Sequence, residues 1–280
     1  MVESSLDLDG WIAFFKTAEI PILKRTSREL GRLDMEADEL SARGVTDIIS
    51  ADPLMVVALL RYLQHHKHSS QQSEVIQIEQ ALMMLGIPTV VAKVQPPLII
   101  EDLLRGQTLA LVGALQTIRR ATRAAYYARD WSVRLKDTHF DEVHIVALLH
   151  NFAEILMWCY APQLMLQVRE LQLKDSDLRH RTAQQVVLGF KLSDLQLALA
   201  KSWVLPEMLI SFMEKSNVQQ RKMQIIILAT NLARHSANNW DNAALPDDYL
   251  AIGELLHLPA TEAKAIVAPT DLDDEVAPIE

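Results

Sequence analysis

Apolar residues recur at spacings of three and four along almost the whole chain, and no segment shows a long polar–apolar alternation. The first pattern puts side chains on one face of an α-helix. The second would mark a half-buried strand. A chain so patterned is restricted to helix-on-helix packing. Glycine points the same way: 8 in 280 residues is few for tight hairpins or Gly-rich phosphate loops. The expected fold class is all-α, and the absence of a repeat at fixed period argues against a solenoid.

Punctuation residues divide the chain. Phe14, Phe15 and Ala18 mark a first short helix, and Ile22, Leu23, Leu30 and Leu33 continue at helical spacing after Pro21. Leu40–Ala51 leads into Asp52-Pro53, an N-cap and first-turn pair that starts a new helix. Ile76–Leu85 ends at Gly86, a plausible C′ residue. Gln95-Pro96-Pro97 breaks the pattern. A single long helix over Leu109–Leu135 and a very apolar helix over Asp141–Tyr160 follow. Further helices are expected from Pro162, from a capping-box Thr182-x-x-Gln185, and over Leu192–Val204, Pro206–Lys215, Gln219–Ser236 and Tyr249–His257. The expected organisation is an extension helix (1–18), an N-terminal helical part (19–95), a linker (96–108), a helical bundle (109–268) and an acidic, loosely ordered tail (269–280).

Charge limits the partners. The net charge is −9, and the tail alone carries Asp271, Asp273, Asp274, Glu275 and Glu280 with no Lys or Arg. Such a chain repels phosphate backbones, so nucleic-acid binding is not expected. Met1–Gly10 lacks the basic and apolar regions of a secretory signal, and the longest apolar run, Ile225–Thr230, is far too short to span a bilayer. A cytoplasmic protein without membrane contact is expected. The lone Cys159 sits in apolar surroundings and reads as a buried, inert thiol.

Phosphate-loop, dinucleotide, zincin and nucleophile-elbow motifs are absent. His65, His66 and His68 lie together without acidic neighbours and read as a solvated helix end. Arg119, Arg120, Arg123, Arg129 and Arg134 enrich the long helix, but nearby Asp130, Asp137, Asp141 and Glu142 favour a solvated or locally salt-bridged face. His150-Asn151 is more informative, because it falls midway along the most apolar helix. Burial requires that His150 be neutral or hydrogen-bonded. Glu154, at i+4, is a possible partner. Asn151 stands where a hydrolytic metal centre would want a carboxylate.

Five stretches carry a resemblance: Ile48–Pro53 with Leu59–Leu63, Ile78–Gly86, Ala147–Leu156, Leu188–Phe190 with Trp203–Pro206, and Leu228–Ala233. In this order and spacing they resemble the HDOD family, a degenerate branch of the HD-domain phosphohydrolase superfamily, over roughly residues 19–235. The resemblance implies an HD-domain-like helical bundle with an N-terminal helical subdomain. In catalytic relatives, His and Asp residues hold divalent metals that activate water. Carried onto this sequence, those positions fall near Arg120, on His150 and Asn151, at Leu192, near Ser216 and Asn217, and at Asn231. Only His150 can ligate, and a catalytic metal needs about three protein ligands.

The resemblance therefore implies a bacterial, non-catalytic signalling or regulatory module with no cofactor, no metal ligands and no catalytic residues. It would act through protein partners, with a possible small anionic ligand in a remnant pocket of Arg120, His150, Asn151, Leu192 and Asn231. The alternative is a divergent metal-dependent phosphohydrolase or phosphodiesterase with a different metal set. A third reading is an adaptor whose old site is filled, which Leu192 favours.

Overall fold

A computed structural model describes residues 6–33, 42–66, 76–175, 178–214 and 220–267. Among these residues the only regular secondary structure is helical. The first part comprises α1 (Leu8–Thr17), α2 (Lys24–Gly31), α3 (Ala42–Ser50), α4 (Pro53–His65), α5 (Ile78–Leu85), the single turn α6 (Ile87–Thr89) with a π-helical turn Val90–Val94, and α7 (Ile100–Leu103). The bundle follows: α8 (Thr108–Arg134), α9 (Phe140–Leu148), α10 (Phe152–Tyr160), α11 (Pro162–Lys174), α12 (His180–Leu188), α13 (Leu192–Ser202), α14 (Glu207–Met213), α15 (Arg221–His235), α16 (Leu245–Leu256) and α17 (Ala260–Val267). The tail expected to be loosely ordered lies outside the described residues, as do His68, Ser216 and Asn217.

Asp52-Pro53 starts α4. The Asp52 carboxylate accepts hydrogen bonds from Leu54 N (3.0 Å) and Met55 N (3.2 Å). Its other oxygen accepts one from Leu23 N at 2.7 Å, and the Thr26 side chain adds a fourth. One buried carboxylate thus ties α4 to the segment before α2. Burial pushes its pKa up to about 6, although all four hydrogen bonds pull it down.

That segment departs from the sequence reading. Pro21 does not open a helix. Ile22 N donates to Leu98 O and Ile100 N to Ile22 O, both at 2.9 Å, forming an isolated parallel bridge between Ile22 and Ile99. Ile22 O, which a helix opened at Pro21 would need for its own first turn, is taken by Ile100 N, so the helix starts at Lys24 with Leu23 as its N-cap. Thr182 is another correction. It lies inside α12, whose N-cap is Arg179 without a side-chain hydrogen bond. His65 ends α4, and the His66 ring stacks on Tyr62 with centroids 3.9 Å apart.

The long α8 is the axis of the bundle, packing against α9, α10, α11 and α15. Ala110, Ala114, Ala121, Ala124, Ala125 and Ala128 are fully buried on it. Such small side chains let neighbouring helices approach closely. Gly113 goes further: a Cβ there would lie 2.6 Å from the Trp158 ring of α10, so only glycine lets that indole rest on the helix. In the first part, α1 lies on α13, and its Phe14 and Phe15 meet the Tyr160 ring edge-on. Buried apolar side chains from α1 through α17 form one continuous core.

The expected helix over Asp141–Tyr160 is interrupted. α9 stops at Leu148, Leu149–Asn151 form turns, and α10 begins at Phe152. Phe140–Tyr160 is long and apolar enough to cross a membrane by length and composition alone, but 78% of its most apolar window is buried inside the fold.

Candidate functional site

The break between α9 and α10 frees backbone groups that a continuous helix would pair, and buried groups of this kind need other partners. Gln196 of α13 supplies two. Its Nε2 donates to His150 O, and its Oε1 accepts from Ala153 N at 3.3 Å. The His150 ring supplies another: Nδ1 hydrogen-bonds to Ala147 O at 2.6 Å, which fixes Nδ1–H as the donor. The break thus turns His150 and Asn151 toward a cavity at the place the sequence singles out.

The same break separates His150 from Glu154, so the suggested i,i+4 pair is not made. Glu154 instead faces α8 and α12. Its Oε1 accepts from Arg120 Nη2 at 2.9 Å and from Thr117 Oγ1 at 3.3 Å, with His180 Nε2 at 3.4 Å. Its Oε2 accepts from Gln184 Nε2 at 3.3 Å. The Glu154 side chain is 7% exposed and that of Arg120 is 23% exposed. Burial alone would raise the Glu154 carboxyl, but Arg120 and then His180 hold it well below the usual carboxylate range. Burial pushes His150 down to about 4, with Arg120 acting in the same direction, so its imidazole is neutral near pH 7.

Two cavities flank this carboxylate. The larger, of about 720 Å³, is lined by His150, Asn151, Leu192 and Asn231, with Glu154 and Gln184 between them. Four of the five residues expected at a remnant pocket therefore share one cavity. Arg120, the fifth, is absent from that lining and faces a second cavity of about 350 Å³. Glu154 lines both and forms the wall between them.

The larger cavity does not suit a divalent cation, although carboxylates line it: Glu154 is paired to Arg120, Glu214 to Lys201, and Asp194 is the third. His150 has committed Nδ1 to Ala147 O, leaving one lone pair. Asn151 and Asn231 offer neutral amides, and Asn231 Oδ1 already accepts from Arg234 Nη2 at 3.1 Å. Leu192 is 6% exposed and offers an apolar wall. Arg120, where a further ligand would stand, is a cation paired to Glu154. Among the described residues no three His, Cys, Asp or Glu side chains gather to hold an ion. Cys159 is no substitute nucleophile, since it is buried and burial raises its thiol far above neutrality.

Sequence reasoning missed Gln196, Gln184, His180 and Thr117. His180 and Gln184, four apart on one face of α12, carried a weak signal. Their partner on α10 did not.

Comparison with known proteins agrees with the fold. A family model described as HDOD domain matches residues 20–218. Among solved structures, the chain is similar to a virulence factor from Campylobacter jejuni subsp. jejuni, at 15% identity and a TM-score of 0.68, covering 98% of this chain and 99% of that one. It is also similar to the MmoQ response regulator from Methylococcus capsulatus str. Bath, at 13% identity and a TM-score of 0.64, covering 90% and 99% respectively. Likeness at such identities speaks to fold alone. No curated protein matches the sequence.

Proposed function

The chain belongs to the HDOD family, and from that membership we propose a non-catalytic signalling or regulatory module that acts by binding a protein partner. One observation carries this reading. At the positions where hydrolytic members of the wider superfamily place metal ligands, this chain has a salt-bridged arginine (Arg120), two amides (Asn151 and Asn231) and a leucine (Leu192), with His150 as the one remaining imidazole. Activation of water for phosphoester hydrolysis needs a cation held by about three donors with an open position. A scaffold that keeps its helices without those donors can still present a surface and a pocket, and that is the role assigned to it.

The test is a phosphodiesterase assay on purified protein with bis-p-nitrophenyl phosphate and added Mn²⁺, Mg²⁺ or Fe²⁺, alongside metal analysis. The expected result is turnover no faster than the blank and no stoichiometric divalent ion. A stoichiometric ion together with turnover that Asn151→Ala or His150→Ala abolishes would overturn the reading in favour of a divergent phosphohydrolase.

A further inference from the structure

We propose that the smaller cavity, between α8, α11 and α15, is a binding site for a small anion that carries phosphate groups and at least two negative charges. It lies across Glu154 from the remnant pocket and stands whether or not the regulatory reading holds.

The arginines of α8 part company in a telling way. Arg129 and Arg134 turn to local acids, lying 3.4 Å from Asp141 and 2.7 Å from Asp130. Those two behave as a solvated, locally paired face. Arg119, Arg120 and Arg123 instead line one cavity, and Arg169 of α11 joins them from the other side. Four guanidiniums, with His180 beside them, meet a single carboxylate there, that of Glu154. This is a strong local excess of positive charge in a chain whose net charge is −9. Like charges gathered around one concave space repel each other unless an anion sits among them.

Hydrogen bonding makes the same demand independently. Arg120 Nε, Arg169 Nη1 and Trp158 Nε1 are buried donors with no hydrogen-bond partner, and all three residues belong to this lining. Buried donors without acceptors are costly and uncommon in native proteins. Three such donors belong to residues of this one lining; Trp11, Trp131 and Trp203 carry the same unpaired indole N–H elsewhere, so it is the two guanidinium donors that favour a ligand rich in oxygen acceptors. Guanidinium forks suit phosphate oxygens, which they can grip with two parallel N–H bonds.

The remaining wall sets the ligand's other end. Trp158, Met165 and Val168 give the lining its apolar part. Gly113 lets the Trp158 ring lie against α8 and so shapes this floor. Arg123 is held in place, donating to Ser236 O at 3.3 Å and stacking over the Trp240 ring at 5.5 Å. At about 350 Å³ the space falls at the small end of ligand pockets. It has room for a compact phosphate ester but not for a nucleic-acid strand.

The test is calorimetric titration of the full chain with ADP, pyrophosphate and adenosine. ADP should saturate at one per chain and weaken as salt rises, while adenosine should give no binding heat. ADP binding more tightly than pyrophosphate identifies an organic phosphate, and equal affinity identifies an inorganic polyphosphate; both support the site. Arg119→Gln and Arg169→Gln, which leave the Arg120–Glu154 pair untouched, should each weaken binding about tenfold. Asn231→Ala, across the wall, should leave it unchanged, with folding of every variant verified by its melting temperature. Three results would overturn the proposal: no binding of ADP or pyrophosphate at millimolar concentration, binding that survives both arginine variants, or binding that appears only once residues 268–280 are removed. The last would make the acidic tail the occupant.

Discussion

Replacing Glu154 with glutamine tests the account of the charged wall directly. The side chain keeps its shape and loses its charge. Oε1 would still accept from Arg120, now at 2.9 Å from a neutral amide. The new Nε2 would point a donor at the Gln184 Nε2 donor, 3.3 Å from the present Oε2. Flipping the amide would move the conflict to Arg120. Removing one partner of a buried ion pair costs about 3–5 kcal/mol, because the other charge is left uncompensated. Arg120 keeps 23% of its side-chain surface in contact with water, which relieves part of that penalty. The lower end of the range, about 3 kcal/mol, therefore applies.

Thermal unfolding followed by circular dichroism at pH 7 should show a fall of roughly 6–12 °C, at about 2–4 °C per kcal/mol for chains of this order of size. The pH dependence gives an independent check. The folded carboxyl lies below its ordinary value of 4.5. The unfolded chain therefore takes up the proton first as pH drops below that value, and the pair's contribution declines. The gap between wild type and Glu154→Gln should be constant from pH 5 to 8 and narrow below about pH 4.5. A change in melting temperature under 2 °C at pH 7, or a gap that stays constant down to pH 3, would refute the reasoning.

Two further outcomes follow from the packing. Gly113→Ala should destabilise the fold by about 1–2 kcal/mol, because the cost of overpacking against the Trp158 ring exceeds the usual helix gain of about 1 kcal/mol; a raised melting temperature would contradict the close approach. Asp52 has its folded pKa raised to about 6 from 3.8, so its favourable contribution is complete below pH 4 and disappears as pH rises through 6. Wild type should lose about 3 kcal/mol relative to Asp52→Asn between those values, since asparagine keeps the helix cap but cannot ionise. A difference in urea-derived stability that stays flat across this window would count against it.

Local chemistry made some of these features legible in the sequence. Asp52-Pro53 announces α4 because a cap and a first-turn proline act on the next three residues, and the structure uses both. The long α8 reads easily from 27 residues without proline. The break at Leu149–Asn151 does not. The surrounding stretch is largely apolar and contains neither Pro nor Gly, and two of the groups freed by the break are met by Gln196, more than forty residues away. The same distance hides the partner of Glu154. Helical spacing suggests His150, but the break turns the two apart and Arg120, 34 residues earlier, takes the contact. The cavity arginines are half legible: Gly113, Thr117 and Arg120 fall on one stripe of α8, whereas Arg169 joins only once α11 has folded back.

Arg120 has one lasting consequence. Had a histidine or lysine stood there, acid or alkali could have switched its charge, and the neighbouring chamber would have become more or less welcoming to cations with the surroundings. A guanidinium keeps its proton at any pH a cell encounters. The carboxylate of Glu154 in the wall beside His150 is therefore always offset by its partner, and only a change in the sequence itself could leave it bare.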